Sequence, residues 1–262
     1  MDNAGGYLRF GLIFATAQEA GPLRARLSPF AVPSGLPRAR AASYVLPNAT
    51  VTLAIAGIGP SFARKIALEM LDSGDVDWII SAGVAGGLRE DLKIGAVVEA
   101  AEVMDDNGMR WSARPIPAAD PEEEIHRVVV YSSPVILSSP EQKRAARDRW
   151  NADVVDMEAA AIAAVAAQRG IRFSCVRSVS DALDDPLPLD FTRFLTPAGA
   201  PRLPLIVLHA LTHPWLLPGL ARLGFNSRTA SRRLAETMMK SLLRLAAGPA
   251  AAGKGATRMN TA

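Results

Sequence analysis

The sequence predicts an α/β protein: a three-layer α/β/α sandwich around a mixed, mostly parallel central sheet. Three observations point there. Short apolar runs alternate with helix-forming segments along most of the chain, the pattern of strands and helices wound around one sheet. The runs mix β-branched and aromatic residues, as strands covered on both faces do. The chain has 262 residues, 49% hydrophobic and 21% charged, which suits one large domain with a substantial core.

Residues 8–15 read as the first buried strand, ending at Thr16-Ala17-Gln18-Glu19. A helix follows over about 19–27, with Leu23 and Leu27 at helical spacing and Arg24 solvated. Residues 29–48 are rich in Pro, Ala and Arg, with one strand near 42–46. A further strand at 51–56 enters Gly57-Ile58-Gly59-Pro60-Ser61 and then a helix over about 62–71. A G-x-G between strand and helix is a weak signal. It is either a tight turn or a set of backbone N–H groups offered to an anion or hydroxyl. The next strand, 78–82, ends in the glycine-rich loop Gly83-Val84-Ala85-Gly86-Gly87-Leu88, and a turn and strand follow over 92–98.

Asp105-Asp106-Asn107-Gly108 is a turn signal within a surface hairpin, and 115–124 read as a solvated acidic loop. A strand within 128–137 leads to Ser138-Ser139-Pro140-Glu141, a helix start with Ser139 as N-cap and Pro140 at the first helical position. That helix runs to about 150. Residues 157–168 are Ala-rich and helical, and Gly170 sits where a helix C-terminal glycine belongs. A strand at 171–179 ends in Ser180-Asp181. Residues 186–226 read as two short helices packed over the mouth of the site, and 227–245 as an amphipathic final helix. The expected organisation is one domain over 1–247, with 186–226 as a helical lid insertion, and a disordered tail over 248–262.

Composition narrows the function classes. The single Cys175 lies in an apolar strand and reads as a small buried hydrophobe; one cysteine forms no internal disulfide. The net charge is +3 with scattered Lys and Arg, so no nucleic-acid footprint is expected. His126, His209 and His213 show no zinc spacing, and no metal site is expected. The N-terminus lacks the basic start and apolar run of a signal peptide, so a cytoplasmic location is expected. Residues 203–220 approach the length of a membrane span, but Pro204, Pro214, Pro218 and two histidines interrupt them. An interfacial surface meeting lipid is the alternative to a lid.

The stretch 153–185 organises the rest. Asp181 ends a strand, where ligands bind in α/β proteins, and Glu158 lies in the first turn of the preceding helix. Glu19 lies at another strand-to-helix junction, so three carboxylates are expected on one edge of the sheet. Taken singly, each has a bland reading: a helix cap, a solvated face, or a partner of Arg177.

Three segments, GLIFATAQEAGPL, GVAGGL with LKIGAVV, and VVDMEAAAIAAVA with VRSVSDALDD, together resemble the nucleoside phosphorylase superfamily. This is the purine/uridine phosphorylase family, and the pattern is most similar to its 5′-methylthioadenosine/S-adenosylhomocysteine nucleosidases. The resemblance covers about 8–185 and the final helix. The 186–226 tail more loosely resembles hopanoid-associated phosphorylases.

The resemblance implies cleavage of the N-glycosidic bond of an adenine-type nucleoside. Asp181 would be the general acid at purine N7, oriented by Ser180, with Arg177 in the same purine-binding run. Glu158 would bind the ribose hydroxyls and Met157 would pack on the ribose. Val84, Ala85 and Gly86 would run under the nucleoside, and Glu19 would activate water. The family pattern also implies a homodimer and no cofactor, with inorganic phosphate as co-substrate in a phosphorylase. Two departures stand out. Val84 replaces a hydroxyl residue, and only Val135, Ile136 and Leu137 precede the Ser139-capped helix where the nucleosidases carry an adenine-stacking aromatic. Glu19 and Val84 together favour water over phosphate. Phosphorolysis of a lipid-linked adenosine and a non-catalytic nucleoside-binding protein remain the alternatives.

Overall fold

A computed structural model describes residues 7–33, 41–74, 76–116, 125–189 and 191–247, apart from 195, 197, 198, 200 and 201. The expected acidic loop falls largely on 117–124, and the expected tail on 248–262, both outside the described residues.

The elements follow in the order β1 (Leu8–Phe14), α1 (Ala17–Leu27), β2 (Ala31–Val32), β3 (Ala41–Leu46), β4 (Ala49–Ile55), α2 (Pro60–Asp72), β5 (Trp78–Gly87), β6 (Val97–Met104), β7 (Arg110–Ser112), β8 (His126–Ser132), α3 (Pro140–Trp150), β9 (Val154–Asp156), α4 (Ala159–Arg169), β10 (Arg172–Asp181), α5 (Leu203–Thr212) and α6 (Leu217–Ala247). The ten strands form one mixed sheet. Its site-bearing strands β4, β1, β5 and β10 run parallel, so their C-terminal ends share one edge. β5 is the branch point. It pairs with β1 over Trp78–Ser81, with β10 from Trp78 to Gly86, and with β9 at Gly86 and Gly87. Pairings β9–β8, β8–β6 and β6–β10 then close five strands into a ring.

Apolar burial explains the layers. One face packs Ala63, Ile66 and Met70 of α2 and Ile162 and Val165 of α4 against the sheet. The opposite face packs Leu23 and Leu27 of α1 with Leu234, Met238 and Leu242 of α6. Each large aliphatic chain buried this way is worth roughly 1.5–3 kcal/mol of transfer free energy. α3 begins with the expected Ser139 cap, closed into a capping box by Gln142. α4 ends at Gly170 with φ 64°, the left-handed conformation that glycine adopts without strain.

Three expectations need correction. The stretch 83–87 is strand, not loop: glycine disfavours strands, but here β10 and β9 pair with it and supply the ladder. The helix expected from 157 begins at Ala159, after the short strand β9. The second short helix of 186–226 is continuous with the final helix, as the single α6. Pro218 sits in its first turn, where a missing N–H breaks no intrahelical bond.

Candidate active site

Every carboxylate of the site is placed by a strand end. β1 delivers Thr16, which caps α1 by accepting from the Glu19 N–H at 3.3 Å. The same hydroxyl donates to Glu19 Oε1 at 2.8 Å. Glu19 Oε2 lies over Gly83 so closely that an added Cβ there would stand 2.6 Å from it and 3.9 Å from Arg177 Nη1. Glycine at 83 is therefore what lets the carboxyl settle on β5. Burial pushes the Glu19 pKa up; the Thr16 hydroxyl, the Arg177 charge and the Val84 N–H pull it partway back.

Glu158 stands at the N-cap position of α4 but does not cap it. Asp156 does, accepting from the Ala159 N–H at 2.9 Å. This leaves the Glu158 carboxyl to accept from the Gly59 N–H at 2.7 Å. Gly59 has φ 110°, a conformation closed to other residues without strain, and it opens α2. The second glycine of G-x-G thus aims a helix N-terminus at a carboxylate of the protein itself. Burial and the nearby Asp156 charge raise the Glu158 pKa to about 8, with Glu19 adding to the effect.

Arg177 was expected in substrate contact. Its buried guanidinium is held by the protein: Nε and Nη2 donate to Asp156, Nη2 to Ser81 Oγ at 2.7 Å, and Nη1 to the Val176 carbonyl at 3.0 Å. Asp156 also accepts from Ser132 Oγ at 2.5 Å, and Ser132 Oγ accepts from the Ala160 N–H at 2.9 Å. The Asp156–Arg177 pair is a buried brace beneath Glu19 and Glu158.

Asp181 ends β10 opposite Gly86, where an added Cβ would lie 3.0 Å from Asp181 Oδ2. Ser180 Oγ is 2.7 Å from Asp181 Oδ1 and 3.3 Å from the Ala85 carbonyl, so its one proton orients either neighbour. Sequence reasoning missed the group on the other oxygen. Lys143 of α3 is fully buried, with Nζ 2.5 Å from Asp181 Oδ2, 2.6 Å from the Ala182 carbonyl and 3.1 Å from the Asp185 carbonyl. The signal was present as a single lysine on the inner face of an otherwise polar helix, which reads as solvated.

Two adjoining cavities meet Glu19 and Asp181; Glu158 lines neither. One, of about 630 Å³, is floored by Thr16, Glu19 and Val84 and walled by α5 and α6. The other, of about 240 Å³, holds Asp181 with Val84, Ile136, Phe191 and Phe194. Val84, Ile58 and Phe191 line both. Phe191 and Phe194, from 186–226, bring aromatic rings to the wall of the Asp181 cavity. Met157 lines a separate hollow with Pro60, Ser133 and Pro134. Cys175 is buried, and burial pushes its thiol up to about 12, which makes it a packing residue. Among the described residues, no cluster of His, Cys, Asp and Glu side chains is arranged to hold a metal ion.

Curated relatives include the 5′-methylthioadenosine/S-adenosylhomocysteine nucleosidase of Haemophilus ducreyi, 29% identical over 232 residues, covering 79% of this chain and 98% of that protein. The enzyme of the same name from Exiguobacterium is 28% identical over 217 residues, covering 73% and 93%. Among solved structures, the Streptococcus pneumoniae nucleosidase with a transition-state inhibitor aligns with a TM-score of 0.70 at 17% identity, over 91% of this chain and 100% of that one. A futalosine hydrolase mutant of Helicobacter pylori aligns with a TM-score of 0.68 at 16% identity, over 90% and 98%. The model of the Phosphorylase superfamily matches residues 9–123 and 112–212, a span that includes Glu19, Glu158 and Asp181. With that match over most of its length, the chain belongs to the Phosphorylase superfamily.

Proposed function

We propose that this protein cleaves the N-glycosidic bond of an adenine-type nucleoside by hydrolysis, releasing the free base. The observation that carries the reading is the division of labour among three carboxyl groups on one sheet edge, each with a different set of partners. Asp181 faces the cavity lined by Phe191 and Phe194, where a flat base fits, and gives its proton to the leaving purine. Such donation contributes roughly 10²–10⁴-fold. The carboxylate left behind keeps its contacts with Lys143 Nζ and the Ser180 hydroxyl. Lys143 is a positioning residue in this scheme.

Glu158, fixed by Gly59, binds the sugar hydroxyls and, in its ionised form, lends negative charge to the oxocarbenium-like transition state. Glu19 takes a proton from water as its oxygen bonds to the anomeric carbon. One proton goes to the base and one comes from water, so the products are the free base and the free sugar. Water is favoured over phosphate on two counts. Val84 offers no hydroxyl, and Arg177, whose charge acts on Glu19, is committed to Asp156. The scheme uses no resident cofactor.

A second reading concerns the 5′-substituent. The larger cavity runs from Glu19 along Ile206, Leu211, Leu217, Leu220 and Leu223. This apolar wall suits a long hydrocarbon substituent, the class carried by a lipid-linked adenosine. Lengthening a 5′-alkylthio chain should raise kcat/KM by up to about fourfold per buried methylene, from ~0.8 kcal/mol each. A flat or falling series would remove this reading.

The test of the reaction is adenine release from methylthioadenosine, S-adenosylhomocysteine and adenosine. Release is expected, with Asp181→Asn slower by roughly 10²–10⁴-fold. No release from any of them, or an unimpaired Asp181→Asn, would overturn the assignment.

A further inference from the structure

We propose that the corner formed by α5 and α6 docks on an anionic lipid bilayer, so that the larger cavity opens at the membrane interface. The apolar content of this corner points outward. Leu208, Leu211, Trp215 and Phe225 are exposed, Trp215 at 70% and Phe225 at 71%. They sit on two helices and on the 3-10 turn Pro214–Leu216 between them. An isolated exposed leucine needs no account, but a cluster around one tip does.

The charge within the segment that carries these residues is of one sign. Between Asp190 and Glu236 the sequence contains no Asp or Glu. Over the same stretch Arg202, Arg222, Arg228 and Arg232 are exposed. Arg222, Phe225, Arg228 and Arg232 are spaced three, three and four apart, so one face of α6 carries an aromatic ring flanked by cations. Exposed apolar side chains and exposed arginines on one acid-free segment, with an aromatic between the cations, are the composition of an interfacial helix on an anionic membrane.

Geometry favours lying on the bilayer over crossing it. Among the described residues no single helix is long and apolar enough to span, and the two helices of the corner are bent by 115°. His213 stacks on His209 with ring centroids 4.2 Å apart and meets Trp215 edge-on at 5.0 Å, which sets the shape of the bend. Leu211 and Leu217 are both exposed and part of the cavity wall, so the cavity mouth and the docking tip are continuous. A second copy of the chain fits less well. A two-fold contact would bring the same acid-free, arginine-rich patch against itself.

The experiment is flotation of the full chain with vesicles of phosphatidylcholine alone and of phosphatidylcholine with phosphatidylglycerol, with analytical ultracentrifugation of the lipid-free protein. Partitioning onto the anionic vesicles is expected, weakening as salt rises from about 0.1 M to about 0.5 M. A blue shift of tryptophan emission is expected that Trp215→Phe removes. Arg222→Glu with Arg232→Glu should lower partitioning by about tenfold or more. Trp215→Ser with Phe225→Ser should abolish it. All these positions are exposed and outside the catalytic set, so turnover of a soluble nucleoside should be unchanged in each variant. That control separates failure of docking from failure of the activity. No binding, equal binding to neutral and anionic vesicles, or a dimer broken by Phe225→Ser would each overturn the proposal.

Discussion

Lys143 Nζ lies 2.5 Å from Asp181 Oδ2, with the lysine wholly inside the protein and its other donors on the Ala182 and Asp185 carbonyls. A buried ammonium is tolerated only when paired and hydrogen-bonded, and here α3 is fastened by it to the end of β10. Lys143→Met should destabilise the fold by about 3 kcal/mol, as breaking a buried pair does. It should also lower kcat more than it raises KM and alter the pH profile of kcat. If stability falls but kcat and its pH profile stay as in wild type, the lysine is structural only.

Gly83 and Gly21 make opposite predictions from the same substitution. A Cβ at 83 would collide with Glu19 Oε2 at 2.6 Å, whereas a Cβ at 21 meets nothing within 4 Å. Gly83→Ala should displace the Glu19 carboxyl and depress kcat at least tenfold. Gly21→Ala, within α1, should raise stability by about 0.4–1 kcal/mol and leave kcat intact. Thermal melts and steady-state kinetics on the two variants check both.

Burial raises the pKa of Glu158, to about 8, and of Glu19. A carboxyl raised in the folded state binds more protons there than in the unfolded chain. Its contribution is therefore complete below the unfolded value of about 4.3 and is lost as pH rises toward the folded value. Stability should fall between about pH 5 and pH 8. Glu158→Gln should flatten that slope, as read by denaturant titrations across the range. A wild-type slope of the opposite sign would contradict the placement of these carboxyls.

The Asp156–Arg177 brace should behave as a coupled pair. Arg177→Met alone leaves a buried carboxylate without its partner and should cost about 3–5 kcal/mol. Adding Asp156→Leu should restore part of that stability, because neither residue is then a stranded charge. A double-mutant cycle reads the coupling. Additive losses would mean that the two side chains act independently.

Local physics made the regular elements legible. The Ser139 cap, the Gly170 stop and the apolar runs of β1, β5 and β10 each follow from one residue type in one place. Gly83, Gly86 and Gly87 hid a strand because glycine carries no strand signal of its own; the neighbours β9 and β10 supply the order. The ring closure has no local signature, since pairing between β6 and β10 is a long-range event. The boundary expected between 226 and 227 falls inside what is one helix. At the site, Glu19, Glu158 and Asp181 were visible as carboxylates at element junctions. The group that caps α4, Asp156, and the one that braces Asp181, Lys143, were not. Each acts through a partner far along the chain or through a face that spacing alone does not fix. The aromatics Phe191 and Phe194 were likewise obscured, because they reach the Asp181 cavity from a segment read as a cover.

The most direct test of hydrolysis is the identity of the sugar product when phosphate is withheld and then supplied. Free 5-substituted ribose is expected in both conditions, formed at the same rate. A sugar 1-phosphate that appears only when phosphate is present would make phosphate the nucleophile and contradict the role given to Glu19.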